Sequence, residues 1–313
     1  MSAKDALLFI DANKYLDLYR TDAGRKLIGP LVEQASYIFV TQQVVSEVSR
    51  NKIGAAAQFL KTKRQGVNLR GINVPDHFSG SETEKNKKLI RKMSEISKSV
   101  SAVNAEIDAY TLEILAQVAE SKDEVSKELA PIFSNAVPAT PDEVRRARER
   151  KEMGNPPGKR NDPLGDEITW EQILSHFKGK RQIWVISRDG DYGTAFGGSL
   201  FLNAFLRSEL AQIAEGANVY LFEDLVKGLT HFVETTKVKA NSRLTAEEVT
   251  EIEAEEKSLP PVDSSRNPSP WPESAWSAAG LSQAIASVQP SAEVLRAIAA
   301  MRLPSQVPKD EDG

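Results

Sequence analysis

The carboxylates of this sequence stand out by position. Asp11 closes the apolar run Ala6 to Ile10, and Asp189 and Asp191 leave a second run, Ile183 to Ser187, within Ser187-Arg188-Asp189-Gly190-Asp191-Tyr192. Glu47 falls on a helix that begins just after a third run, and Asp162 and Asp166 frame the start of a helix ending near Phe177. Acids at strand exits gather at one edge of an open α/β sheet, where catalytic groups collect. Crowded without counter-charge they repel one another, so such a cluster persists only with a cation among them. Mg²⁺ or Mn²⁺ suits an all-oxygen set that leaves room for water and substrate phosphates. The chemistry that follows is phosphodiester hydrolysis, in which the ions activate a water and neutralise the attacking and leaving oxygens.

Composition removes the competing chemistries. The chain of 313 residues has no Cys, which excludes disulfides, thiolate metal sites and thiol nucleophiles. Its three histidines, His77, His176 and His231, are far apart and lack the His-Glu-x-x-His spacing of a zinc helix. With 40% hydrophobic and 27% charged residues the mix is that of a globular protein. The net charge of −4 is unevenly placed: residues 237–313 carry 8 Lys and Arg against 12 Asp and Glu, leaving 32 of each in 1–236. A neutral body with local basic clusters can still meet a phosphate backbone. No run approaches the roughly 18 apolar residues of a spanning helix, and Ala6 to Ile10 is too short for a signal peptide. A cytoplasmic protein without membrane association is expected.

The elements that must position these acids are legible from periodicity. Ala6 to Ile10, Tyr37 to Val40, Ile183 to Ser187 and Asn218 to Phe222 are short, almost wholly apolar runs, as in strands covered on both faces, and helical stretches separate them. The fold class is therefore α/β with a central, mostly parallel sheet. Thr41 can cap a helix carrying Val44, Val45 and Val48; Gly165 to Phe177 and Ser199 to Ala214 read as two more. Residues 76–155 interrupt the alternation as a helical insertion. Within it Leu89, Met93, Ile96, Val100, Val103, Ile107, Tyr110 and Ile114 form a heptad seam. A helix over 85–120 would reach roughly 50 Å, and Asp123 to Phe133 or Pro141 to Lys151 could pair with it. Self-association or a protein partner along 85–120 is the alternative. From 237 to the end the chain turns Pro-, Ser- and Glu-rich, holding 8 of the 16 prolines, and reads as a tail with a short docking helix at 291–302.

Phe9-Ile10-Asp11-Ala12-Asn13, Val45-Ser46-Glu47-Val48, Gly165-Asp166 and Ser187-Arg188-Asp189-Gly190-Asp191-Tyr192 together resemble the PIN-domain nucleases. The pattern is most similar to their larger bacterial PIN-like branch, in which Arg50-Asn51 trails the Glu and a Pro-Pro-Gly segment, here Pro156 to Asp162, precedes the third acid. The resemblance covers about 5–60 and 155–232. It implies a three-layer sandwich, a Mg²⁺ or Mn²⁺ site and cleavage of RNA more often than DNA. It assigns Asp11, Glu47, Asp166 and Asp189 as the acidic quartet, with Asp11, Asp166, Asp189 and the accessory Asp191 on metal. Asn13, Ser187 and Asp162 would support these ligands, and Tyr192 stands where Phe is common.

Lys159 and Arg160, beside the acids, and Arg188 and Arg50 are candidate contacts to nucleic acid; Lys85 to Lys92 and Arg145 to Lys151 are further basic stretches. Trp170 reads as core, and Gly197-Gly198 as a turn or helix start. The leading function is a metal-dependent endoribonuclease, possible as a toxin or defence effector. Two other classes are weighed beside it. One is a non-catalytic PIN-like scaffold that binds nucleic acid or protein through the insertion. The other is a phosphatase with Asp11 as nucleophile, disfavoured because no second acid follows two residues on.

Overall fold

The computed structural model describes residues 5–64, 84–158, 163–242 and 244–259. These fall into two compact units, one comprising the chain up to Phe59 and from Ser121 onward, the other lying within Leu60–Glu120. The first unit contains the strands β1 (Ala6–Ile10), β2 (Ile38–Phe39), β3 (Gln182–Ile186), β4 (Gly193–Phe196), β5 (Ser199–Leu202) and β6 (Asn218–Phe222). β1, β2, β3 and β6 form one parallel sheet in the order β2-β1-β3-β6, and β4 and β5 form a separate antiparallel hairpin.

Every residue of β1 and β3 is buried. Such apolar strands need cover on both faces, and helices supply it. The helices of this unit are α1 (Ala12–Asp17), α2 (Gly24–Glu33), α3 (Gln42–Lys63, running on into the second unit), α5 (Glu124–Phe133), α6 (Pro141–Glu152), α7 (Gly165–Phe177), α8 (Ala204–Ile213), α9 (Leu225–Thr236) and α10 (Ala246–Ser258); α4 (Glu84–Ala119) belongs to the second. Leu8, Trp184 and Tyr220 are register partners and share a face. There Trp184 meets Phe232 of α9 edge-on, ring centroids 5.1 Å apart. Phe9 and Val185 face the other way, where the Phe9 ring lies 6.3 Å from Tyr192, itself 6.0 Å from Trp170 of α7. The result is a helix–sheet–helix sandwich with the core on both sides of β1 and β3.

The expected strands and the helices at Thr41 and Gly165 form close to their expected bounds. Thr41 Oγ1 accepts the Val44 amide at 3.2 Å and starts α3. Trp170 is fully buried, as a core residue. One stretch differs: Ser199 to Ala214 is not a single helix. Ser199–Leu202 is β5, and α8 begins at Ala204 behind Asn203, whose Oδ1 accepts the Phe205 amide at 2.9 Å. Gly197 and Gly198 both have positive φ, +59° and +80°. That pair makes the tight primed turn of a hairpin, and the alternation of Leu200 and Leu202 with Phe201 then wins over helical spacing.

Within the insertion, α5 packs against α2 and α6 against α7. Both are thereby occupied inside the first unit. α4 is one helix of 36 residues, as the heptads predict. Beyond residue 237, α10 is closed at its start by a capping box between Thr245 and Glu248 and buries Ile252 and Glu256. The expected docking helix at 291–302 lies outside the described residues. No described helix is long and apolar enough to cross a membrane.

Candidate metal and active site

The acids meet where β1 and β3 end. β1 lies between β2 and β3, so the chain winds away from it toward both edges of the sheet. The crevice beyond the carboxyl ends at such a switch point is where open parallel sheets place ligands. The Asp11 amide donates to Ile186 O at 3.0 Å, extending the β1–β3 ladder one residue past the strand. Asp11 then caps α1, its Oδ1 accepting the Ala12 amide at 2.7 Å. Its Oδ2 accepts from Ser187 Oγ and from Asn13 Nδ2, both at 2.6 Å. Ser187, buried just after β3, accepts the Asp189 amide at 3.0 Å on the same hydroxyl. One hydroxyl thus ties together the acids leaving two strands.

Asp189 Oδ1 accepts the Asp191 amide at 3.1 Å, which folds the loop so that both carboxyls point the same way. Asp166 enters from the first turn of α7. One oxygen from each of Asp166, Asp189 and Asp191 lies within 4.8 Å of the other two, and all three residues are half-buried. Asp191 Oδ2 also accepts the Gly158 amide at 3.3 Å, so the Pro156–Gly158 loop reaches the site. Gly158 sits at φ +112°, and a side chain there would collide with the Glu167 carboxylate. The positive φ calls for glycine, and any side chain there would also have to displace the Glu167 carboxylate.

The electrostatics match a crowd of like charges. Burial, followed by the charges of Asp11 and Asp189, pushes the Asp166 carboxyl up to about 8. Burial raises Asp11 to about 7 against the opposing Ser187 hydrogen bond, with Glu47 and Asp189 adding to the rise. Glu47, half-buried on α3, is also pushed to about 7 by burial and by Asp166, while Arg50 pulls it down. Asp11, Glu47, Asp166 and Asp189 therefore sense one another across the crevice. Burial and like charge that push Asp11, Glu47 and Asp166 toward their protonated forms mark a site that a hard divalent ion would suit, since it prefers oxygen donors and supplies the missing positive charge. Asp166, Asp189 and Asp191 form the close set, with Asp11 and Glu47 beside it.

Of the other expected residues, Asn13 and Ser187 both touch Asp11. Asp162, Lys159 and Arg160 lie outside the described residues. Arg50 is exposed one turn beyond Glu47. Arg188 is engaged elsewhere: its guanidinium pairs with buried Asp17 and donates to Glu256 O at 3.3 Å. Most of the basic stretch on α6 is likewise paired with acids. Arg145 pairs with Asp142 and Glu149, Arg146 with Asp142 and Glu171, and Lys151 with Glu167.

Several supporting residues escape the sequence pattern. Buried Arg150 donates to Glu171 at 2.7 Å, to Glu209 at 2.6 Å and to Pro156 O at 2.6 Å, and Trp170 Nε1 donates to Glu209 at 2.9 Å. This knot joins α6, α7 and α8 and holds the loop two residues before Gly158. The spacing of Arg146 and Arg150 on one face of α6, both reaching Glu171, is the signal that could have found it. The hairpin was hidden as well. It springs from the Asp189–Asp191 loop, and Phe196 and Phe201 are 81% and 58% exposed. Phe201 pairs with Thr194, and Phe196 with Ser199, which puts both rings and both hydroxyls on the outward face.

A family model described as PIN domain matches residues 8–192, a span opening inside β1 and closing just after Asp191. Neither a curated protein nor a solved structure matches the chain.

Proposed function

Because this chain belongs to the PIN-domain family, whose members are generally metal-dependent nucleases, we propose that it hydrolyses phosphodiester bonds of RNA with Mg²⁺ or Mn²⁺. The observation that carries the reading is the meeting of Asp166, Asp189 and Asp191 within 4.8 Å beside the Asp11 carboxylate. Asp166, Asp189 and Asp191 would hold the ion, with Asp11 as a further ligand. When bound, such an ion supplies a nucleophilic water at neutral pH and offsets charge on the phosphoryl oxygens.

The chain's own groups do the rest. Ser187 and Asn13 fix the orientation of Asp11 before substrate arrives. Glu47, poised near pH 7, is matched to accept and return a proton in the crevice. The outward rings of Phe196 and Phe201 favour an unpaired strand, since exposed aromatics stack on bases that a duplex keeps covered. Such RNA is met in the cytoplasm, where we place the protein, and a toxin or defence effector is the role we assign to it. Lys159, Arg160 and Arg50 are the cations we assign to the substrate backbone.

The test is hydrolysis of internally labelled single-stranded RNA with Mn²⁺, beside single-stranded DNA and duplex arms. Cleavage should need the metal and disappear in Asp11→Asn and Asp189→Asn. Full cleavage by both variants discards the site. Stable RNA complexes without measurable Mn²⁺ affinity would instead leave a scaffold.

A further inference from the structure

We propose that α4 pairs with α4 of a second copy of this chain in an antiparallel coiled coil centred near Ser99. Heptad positions follow from the seam. With Met93, Val100, Ile107 and Ile114 at a, the d positions are Leu89, Ile96, Val103 and Tyr110, and the g positions include Lys92, Ser99, Glu106 and Glu113. The a residues are half-buried. The d residues form a stripe of large apolar side chains that are 50%, 49%, 44% and 65% exposed in chain order. An apolar stripe repeating every seven residues over three full heptads is the mark of a helix built to meet another helix.

The occupant is identified by length and charge. From Leu89 to Tyr110 the stripe runs roughly 32 Å at 1.5 Å per residue, so its partner must be a helix of similar length. α4 itself, with 36 residues, meets that need. Its charges are also divided by sign. Lys85, Lys87, Lys88, Arg91, Lys92 and Lys98 outnumber Glu84 and Glu95 in the first half, whereas the second half carries Glu106, Asp108 and Glu113 and no Lys or Arg of its own. Side by side in parallel, two copies would set like halves together. Antiparallel, the g rows face each other: Lys92 comes opposite Glu106 of the second copy, and Ser99 opposite its own equivalent. The Lys92–Glu106 contact is made twice and Ser99 meets its equivalent once on the axis, as a two-fold interface demands. The same arrangement layers Ile96 on Val100, Met93 on Val103 and Leu89 on Ile107 of the other helix. This pairing stands apart from the nuclease reading, since it draws on no residue of the acid site.

Sedimentation of the full chain at tens of micromolar should give twice the 34.4 kDa of one copy. Lys92→Glu alone and Glu106→Lys alone should each weaken the dimer by more than tenfold. An equimolar mixture of the two variants should dimerise again as a heterodimer, because every g contact is then opposite in sign. A parallel pair would show no such rescue: its g rows meet e positions, Ile90, Ser97, Asn104 and Thr111, which carry no charge. The sequence has no Cys, so Ser99→Cys places a single thiol at the centre, and mild oxidation should lock the dimer covalently. A monomeric wild type overturns the proposal and leaves the stripe to the chain's own C-terminal segment or to another protein. So does a dimer indifferent to both charge variants, or one that Ser99→Cys fails to cross-link.

Discussion

At Asp11 two donors converge on a single carboxylate oxygen, Ser187 Oγ and Asn13 Nδ2, each at 2.6 Å. The other oxygen is held by the first amide of α1. A carboxylate so held has little freedom left to turn, and turning is what a ligand or base must not do during reaction. Ser187 also receives the Asp189 amide, so one hydroxyl orients acids on two loops. Ser187→Ala is accordingly expected to weaken Mn²⁺ binding and RNA cleavage by about 10–100-fold, the usual cost of losing a group behind a ligand. Calorimetric titration with Mn²⁺ beside single-turnover cleavage checks this. Wild-type values in both would mean that Asn13 and the α1 amide suffice.

Among the elements, the hairpin and α10 act by different routes. The hairpin base is pinned to the sheet: a side chain at Gly193 would collide with Phe201 O and with Leu221 of β6. Its free end carries the two outward Phe rings. Base–aromatic stacking is worth about 1–3 kcal/mol per base. Phe196→Ala with Phe201→Ala is therefore expected to raise KM for single-stranded RNA by at least about tenfold, and an unaltered KM would remove the hairpin from the substrate path. α10 works through α1. Lys14, 0% exposed one turn beyond Asp11, lies 3.1 Å from Glu256 of α10 and 3.2 Å from Asp17. Breaking such a pair by removing one partner leaves a charge buried and costs about 3–5 kcal/mol. Because Asp17 stays beside Lys14, Glu256→Ala should fall near the low end of that range in urea unfolding. A loss under about 1 kcal/mol, as for an exposed pair, would show that α10 is not integral to the unit.

For the molecule as a whole, the acid cluster sets the sign of stability against pH. Folding raises Asp11 and Glu47 to about 7 and Asp166 to about 8, from ordinary values of 3.8, 4.5 and 3.8. Between about pH 4 and 8 the folded chain thus binds more protons than the unfolded chain, so stability without metal is greatest at the acid end and declines as pH rises. A dication displaces those protons, so its stabilisation grows over the same window. Melting from pH 5 to 8.5 with EDTA should show a falling Tm, and saturating Mn²⁺ should recover it, most at pH 8. Asp166→Asn should flatten the metal-free decline and reduce the Mn²⁺ gain. A metal-free Tm that climbs toward pH 8 would contradict the coupling.

Local chemistry was enough to read the strands, α3, α4, α7 and the placing of acids at strand exits from the sequence. Apolar runs of strand length, heptads, and carboxyls placed where runs end are encoded by near neighbours along the chain. The Ser199–Leu202 strand departs from the helix its sequence suggests because its alternation is brief and a double glycine can open either a turn or a helix. Other facts are set by contacts between distant segments and leave no local period. Arg188 turns to Asp17, 171 residues away; Glu256 reaches Lys14 across 242; Arg150 gathers Glu171, Glu209 and Pro156 into one knot. Residue type and strand-exit position are enough to nominate the side chains that could hold a dication. That Asp11 and Asp166 meet Asp189 and Asp191 in one space is a matter of folding: the parallel pairing of β1 with β3 delivers Asp11, and the docking of α7 delivers Asp166, to a loop the chain keeps far from both.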